Sequence, residues 1–377
     1  MLVLALLPSL LPIVSHQPPV SSAALLNWGK LYANAQCGVT FVASTLMHYY
    51  VKLRFTFETT PENQEATYLG LIPQEYSVGL DDEPAVEDET PPEERQWDIF
   101  SEEEVYRYEM HASYAYCDEA EVRRVANMRI GPQNTPLLTY GMEVLRWEAD
   151  GPHHFLVTKS AKDRRITLAF RGTSTIADFL ANADGRHTRP LSSLGPAPPG
   201  SLIYAGMQRI TSQPIVEAMD AVVLALAENP GYQLVITGHS LGGTMALLFV
   251  LYLVQNRPSL PFYALYTYGE PISMHVTMAD WALERIGRER YVAVISRYDI
   301  APRVRTSDGQ FGHALNRIVL YMPDPSTRGI IRCESNDDPR CGADLPCEQL
   351  SFVDHNWYAG MYLGRRQCLY GRRDGKR

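Results

Sequence analysis

The 377-residue sequence is poor in several features that would have assigned it quickly. It has no Cys-x-x-Cys pair and no His cluster beside its six cysteines, which argues against a zinc ribbon or a dithiol redox motif. It has no Asn-x-Ser/Thr sequon, which neither supports nor excludes secretion. No internal repeat is visible, so a solenoid or propeller is not expected. Basic residues are not in excess. The formal net charge is −9, and the segment Asp81 to Glu104 alone contributes −11, with twelve acidic residues and only Arg95 opposing them. The remainder, at +2, lacks the basic surface that a nucleic-acid partner requires. With Pro84, Pro91 and Pro92 among its charges, the acidic segment is expected to be a solvated linker over 81–104.

The first residues, "MLVLALLPSLLPIVSHQPPVSSA", are apolar and end in proline and small residues, like a signal-peptide core, but the usual positive n-region is missing. A leader or anchor over 1–22 and a secreted protein are expected, with membrane anchoring in the secretory pathway as the alternative. A second apolar stretch, Leu31 to Val51, contains Asn34, Gln36, Cys37 and His48, which makes it a poor membrane span. Residues 23–80 form an extension whose role is not legible. A domain is expected over 105–370, followed by a basic tail over 371–377. The even cysteine number fits an oxidising compartment, although six cysteines allow fifteen pairings.

From Val105 onward, short β-branched runs alternate with longer periodic ones, the pattern of an α/β fold with a central, mostly parallel sheet and helices on both faces. Strands are predicted at Phe155–Thr158, Ile166–Phe170, Gln233–Thr237, Tyr263–Tyr268, Tyr291–Ser296 and Arg317–Met322. A helix is predicted to start near Pro214 and to place Ile215, Met219, Val222, Val223 and Leu226 on one face before "NPG" stops it.

The stretch "LVITGHSLGGTMALLF", Leu234 to Phe249, joins a strand to an apolar helix through Gly-His-Ser-Leu-Gly-Gly. Gly-x-Ser-x-Gly is too short to carry an assignment alone, but between a strand and a helix its glycines have a mechanical role. Gly238 and Gly242 make room for a tight elbow that forces Ser240 outward at the C-terminal edge of the sheet. The helix N-terminus behind it offers the Leu241 amide to a developing oxyanion. A purely capping serine is the alternative.

A serine hydroxyl needs a base and an acid that orients the base, in the chain order Ser, Asp or Glu, His. Asp299 in "AVISRYDIAPRV" follows a strand and is the preferred acid, whereas Asp280 and Asp308 lack that placement and Asp354 adjoins the candidate base. His355 in "FVDHNWY" is preferred as base over His313, which lies only fourteen positions after Asp299. His239, next to the serine, is read as a packing and turn residue. "LAFRGT" ends a strand at Phe170 and supplies Thr173 as the second oxyanion donor. Arg171 is read as a structural ion-pair residue.

On "FRGT", "NPGYQLVITGHSLGGTMALL", "YTYGEP", "RYDIAP" and "DHNWY", the chain resembles the class 3 lipases, a fungal triacylglycerol lipase family that includes feruloyl esterases. The resemblance spans about 105–370. It implies an α/β-hydrolase fold, a nucleophile at Ser240, acid at Asp299, base at His355 and oxyanion donors at Thr173 and Leu241. It also implies a Cys117–Cys368 disulfide and pairing of Cys333 with Cys341 or Cys347, which leaves one late cysteine for Cys37 or free. An amphipathic lid is implied at "STIADFLANADG", with Ile176, Phe179 and Leu180 on one face. Departures from the family pattern at Tyr204, Thr244 and "GPAPPG" bear on substrate preference.

The expected activity is a serine carboxylic-ester hydrolysis, triacylglycerol lipase-like, with no metal or organic cofactor. The expected partner is a lipid or ester substrate at a lipid–water interface, with no nucleic acid and no obligate protein partner. A phospholipase or feruloyl/short-chain esterase is the nearer alternative, and a non-catalytic binding protein of the same fold the farther one.

Overall fold

The computed structural model describes residues 99–368, apart from 128, 131–134, 150–153, 174–185, 297, 304–310, 313–317, 322–329, 334–344, 346–349, 351–353, 359–360 and 365–367. Its frame is an eight-stranded sheet whose spatial order follows the sequence: β1 (Glu143–Glu148), β2 (Phe155–Ser160), β3 (Arg165–Phe170), β4 (Gln233–His239), β5 (Phe262–Tyr268), β6 (Tyr291–Ser296), β7 (Ile318–Tyr321) and β8 (Ile330–Cys333). The strands from β3 to β7 pair in parallel, while β1, β2 and β8 add antiparallel edges. Strands β3 and β6 are buried at every position, as expected of parallel strands covered on both faces.

One face carries helices α3 (Ala205–Glu228), α4 (Leu241–Asn256) and α5 (Val276–Ile286), and the other carries α1 (Glu102–Tyr114), with α2 (Glu119–Val125) beside it. Helix α4 is apolar around most of its circumference because strands lie beneath it and helices flank it, so Met245 through Leu251 are all buried. Helix α1 lays Tyr108 on Tyr266 of β5, with ring centroids 4.6 Å apart. Its Arg107 donates to Glu104 and Asp163 and to the Leu138 carbonyl, which ties the helix to the β2–β3 hairpin.

The structure differs from the sequence expectations in three places. Helix α1 begins inside the acidic stretch assigned to the linker, and Ile99 and Phe100 just before it are buried in the core. Glu102, Glu103 and Glu104 occupy the first helical turn behind the Ser101 cap, where carboxylates complement the exposed amides of the helix end. Helix α3 begins at Ala205, so Pro214 lies within it, and the segments Ala205–Ser212 and Pro214–Glu228 meet at 41°. Val223, expected on the buried face of that helix, is 37% exposed.

Cys117 and Cys368 form a disulfide, as the family resemblance implies. Trp147 Nε1–H donates to the Cys117 carbonyl at 3.0 Å, and Arg124 donates to the Cys368 carbonyl at 2.7 Å. Cys37, Cys341 and Cys347 lie outside the described residues, as do His313 and the lid residues Ile176, Phe179 and Leu180; of Cys333 only the backbone, ending β8, is described. Among the described residues no single helix is long and apolar enough to cross a membrane.

The crosslink joins residues 251 positions apart, so it removes much of the unfolded chain's freedom. Replacing both cysteines with serine is expected to destabilise the domain by about 2–5 kcal/mol. Denaturant unfolding would measure this, and an unchanged midpoint would contradict it.

Candidate active site

The site is built on the ends of three strands. Strand β4 ends at His239, and the chain reverses through Ser240 straight into α4. Ser240 has φ 59° and ψ −130°, one of two non-glycine residues with positive φ among those described. Such a conformation costs about 1–3 kcal/mol and persists only where its surroundings enforce it. They do so by close packing. A Cβ on Gly242 would lie 2.3 Å from the Phe170 carbonyl oxygen, and one on Gly238 would lie 2.1 Å from that of Gly242. The predicted elbow glycines are therefore those that let α4 start against the ends of β3 and β4.

Asp299 follows the end of β6, its amide bonded to the Ser296 carbonyl at 3.1 Å, and it is fully buried. Its carboxylate accepts from the Ala301 amide at 2.8 Å and from the Tyr358 hydroxyl. His355 lies in the short helical turn Asp354–Asn356. Its Nδ1 is 3.0 and 2.9 Å from the two Asp299 oxygens, and its Nε2 is 2.8 Å from Ser240 Oγ. The structure thus brings together the three side chains singled out from the sequence. A buried carboxylate fixes Nδ1 as the protonated nitrogen and leaves Nε2 free to accept the serine proton.

Leu241 is the first residue of α4, so its amide belongs to the unpaired first turn. Thr173 follows Gly172, which packs against the elbow: a Cβ on Gly172 would lie 3.0 Å from Ser240 Cβ. Arg171 is half-buried, and its guanidinium donates to His154 Nδ1 at 2.9 Å.

Several contacts of the site escaped the sequence reading, which took His239 only as a packing and turn residue. Tyr358, in the quoted "DHNWY", binds Asp299 and is fully buried. Gly269, in "YTYGEP", has φ 58°, and a Cβ there would lie 2.6 Å from both Asp299 Oδ2 and the Tyr358 hydroxyl. Tyr116 and His239 join a hydrogen-bond chain behind the serine. These roles arise from contacts between distant segments and leave no local spacing to detect.

Residues 167–308 match the family described as Lipase (class 3). That segment, which makes up the middle of the sheet, is similar to the class 3 lipases. A lipase of Rhizomucor miehei is 26% identical over 211 residues, covering 55% of this chain and 56% of its own. The secreted mono- and diacylglycerol lipase A of Penicillium cyclopium is 25% identical over 204 residues, covering 51% and 61%. The chain therefore spans about half the length of the curated relatives it matches. The Rhizomucor miehei lipase propeptide complex aligns with a TM-score of 0.57 at 23% identity, over 69% of this chain and 81% of that one. The fold is the expected α/β-hydrolase sheet. The class 3 lipase match ends at residue 308, so it includes Ser240 and Asp299 but not His355.

Glu270, which follows Gly269, is buried beside Gly243 and accepts from the Tyr291 hydroxyl at 2.5 Å. Burial raises its carboxyl from 4.5 to about 7, against hydrogen bonds from Tyr291 and Thr267 that lower it. Because the folded value lies above the unfolded one, the native state holds the extra proton between those values, and stability falls as pH rises through that window. Glu270→Gln is expected to flatten the decline in Tm between pH 4.5 and about 7. Parallel Tm curves for the two proteins would refute this.

Proposed function

We propose that the chain is a serine carboxylic-ester hydrolase that acts on acylglycerols. The 2.8 Å approach of His355 Nε2 to Ser240 Oγ, with Asp299 on the other ring nitrogen, carries this reading. In the first half-reaction Ser240 Oγ attacks the ester carbonyl carbon while its proton passes to His355 Nε2. The amides of Leu241 and Thr173 receive the negative charge that develops on the carbonyl oxygen. The tetrahedral species collapses, the carbon–oxygen bond to the alcohol breaks, and the alcohol leaves with the proton from Nε2. Water then attacks the acyl-serine by the same route, yielding the carboxylic acid and restoring the hydroxyl. The Asp299 carboxylate, held by the Ala301 amide and the Tyr358 hydroxyl, orients and stabilises the imidazolium.

Acylglycerols are the proposed substrate class because the similar Penicillium protein is named a mono- and diacylglycerol lipase. The same relative is named as secreted, and the chain's own Cys117–Cys368 crosslink suits an oxidising compartment, so a secreted protein with a leader over 1–22 is the matching proposal. The working partner is then an ester presented at a lipid–water interface, with the stretch "STIADFLANADG" proposed as the lid. N-terminal sequencing of the mature protein tests the leader, and a mature chain that begins at Met1 would reject it.

Ser240→Ala is expected to abolish ester hydrolysis without lowering Tm, and a fluorophosphonate is expected to label Ser240 in the parent protein. Near-normal turnover by the variant, or labelling only elsewhere, would refute the nucleophile. Faster turnover of emulsified long-chain esters than of dissolved short-chain ones is the expected substrate signature. The opposite order would make the protein an esterase for soluble substrates.

A further inference from the structure

His239 immediately precedes the serine and packs beside the ring of the base, yet the reaction outlined above does not use it. Its ring is 1% exposed, and its two nitrogens point to different parts of the site. Nε2 is 2.7 Å from the carbonyl oxygen of His355, and Nδ1 is 2.8 Å from the Tyr116 hydroxyl. The Tyr116 oxygen in turn receives the Gly172 amide at 3.1 Å.

Only one proton arrangement satisfies all three contacts. A carbonyl oxygen can only accept, so the proton of His239 is on Nε2. Burial and the adjacent His355 ring hold its pKa well below the usual 6.5, so the imidazole is neutral and Nδ1 is bare. A bare Nδ1 must accept, so the Tyr116 hydroxyl donates to it, and that oxygen's lone pair takes the Gly172 N–H. The polarity runs from the loop after β3, through α1's C-terminal flank and the elbow, to the peptide of the base.

On the proposed serine-hydrolase reading, we propose that His239 and Tyr116 are positioning residues, which hold the His355 turn and the Gly172–Thr173 loop in register with Ser240. The Nε2–H bond fixes the backbone of the base, and through it the approach of its imidazole to Oγ. The Tyr116 hydroxyl fixes the peptide that leads to the Thr173 oxyanion donor. The neutral state also matters, because the two histidine rings lie 4.8 Å apart by centroid. When His355 takes up the serine proton it becomes a cation, and a second cation at that distance would oppose the step. Tyr358, 6.0 Å from the His239 ring by centroid, is held neutral by burial and the nearby Asp299 carboxylate.

Three variants and one spectrum test this. Tyr116→Phe is expected to lower kcat about tenfold to a hundredfold, with KM and Tm nearly unchanged, because a misplaced catalytic group costs rate rather than binding. His239→Gln can still donate toward the His355 carbonyl, so it is expected to retain more kcat than His239→Leu. In the parent protein, nitrogen-15 NMR should show His239 as the Nε2–H tautomer from about pH 5 to 8, through the range where an ordinary histidine titrates. An Nδ1–H tautomer, or parent-level kcat in Tyr116→Phe, overturns the positioning role. Should His239→Leu fail to fold, Tyr116→Phe and the tautomer still decide. A parent protein that cleaves no ester and takes no fluorophosphonate overturns the hydrolase reading instead, and the two failures are thereby distinct.

Discussion

The contact on which everything else depends is between backbones. Helix α4 begins so close to the end of β3 that the Cα of Gly242 faces the Phe170 carbonyl with no space for a methyl group. That approach forces the turn between β4 and α4 to be abrupt, and the abruptness holds Ser240 at positive φ with its hydroxyl clear of both elements. The strain at one residue is offset by the burial of nearly the whole of α4, whose side chains fill the space between the sheet and its neighbouring helices. Stability and reactivity therefore share one cause, since the apolar packing that secures the helix also presents the serine.

Around that elbow the site is assembled from strand ends. Parallel pairing from β3 to β7 aligns the C-terminal ends of β4 and β6 on one edge, so residues just beyond them converge without any long-range design of their own. The carboxylate of Asp299 tolerates complete burial because an amide, a phenol and an imidazole all turn toward it. Gly269 belongs to the same economy of space, for any side chain there would occupy the volume that Asp299 and Tyr358 share.

What could be read from the sequence was whatever has a local signature. The strand–elbow–helix unit announces itself through apolar runs on either side of Gly-x-Ser-x-Gly, and Asp299 through its position after "YVAVIS". His355 was found by elimination and by the motif around it. Strand β1 was missed because it lies at the sheet edge and buries only Val144, so its "EVLRWE" carries too little apolar signal. The start of α3 was missed because Pro214 suggests a beginning, whereas the helix accommodates it at a bend. Tyr116, separated from His239 by 123 positions, could not be inferred from spacing at all.

The ladder of strands, laid side by side in the order in which they are synthesised, gives the three reacting side chains a fixed schedule of arrival. The hydroxyl and the carboxylate are both in place once β6 and its following turn have emerged. The imidazole comes more than fifty residues later, and the cysteine that staples the domain shut comes after that. A chain ending between those points would hold the hydroxyl and the carboxylate but neither the imidazole that joins them nor the staple.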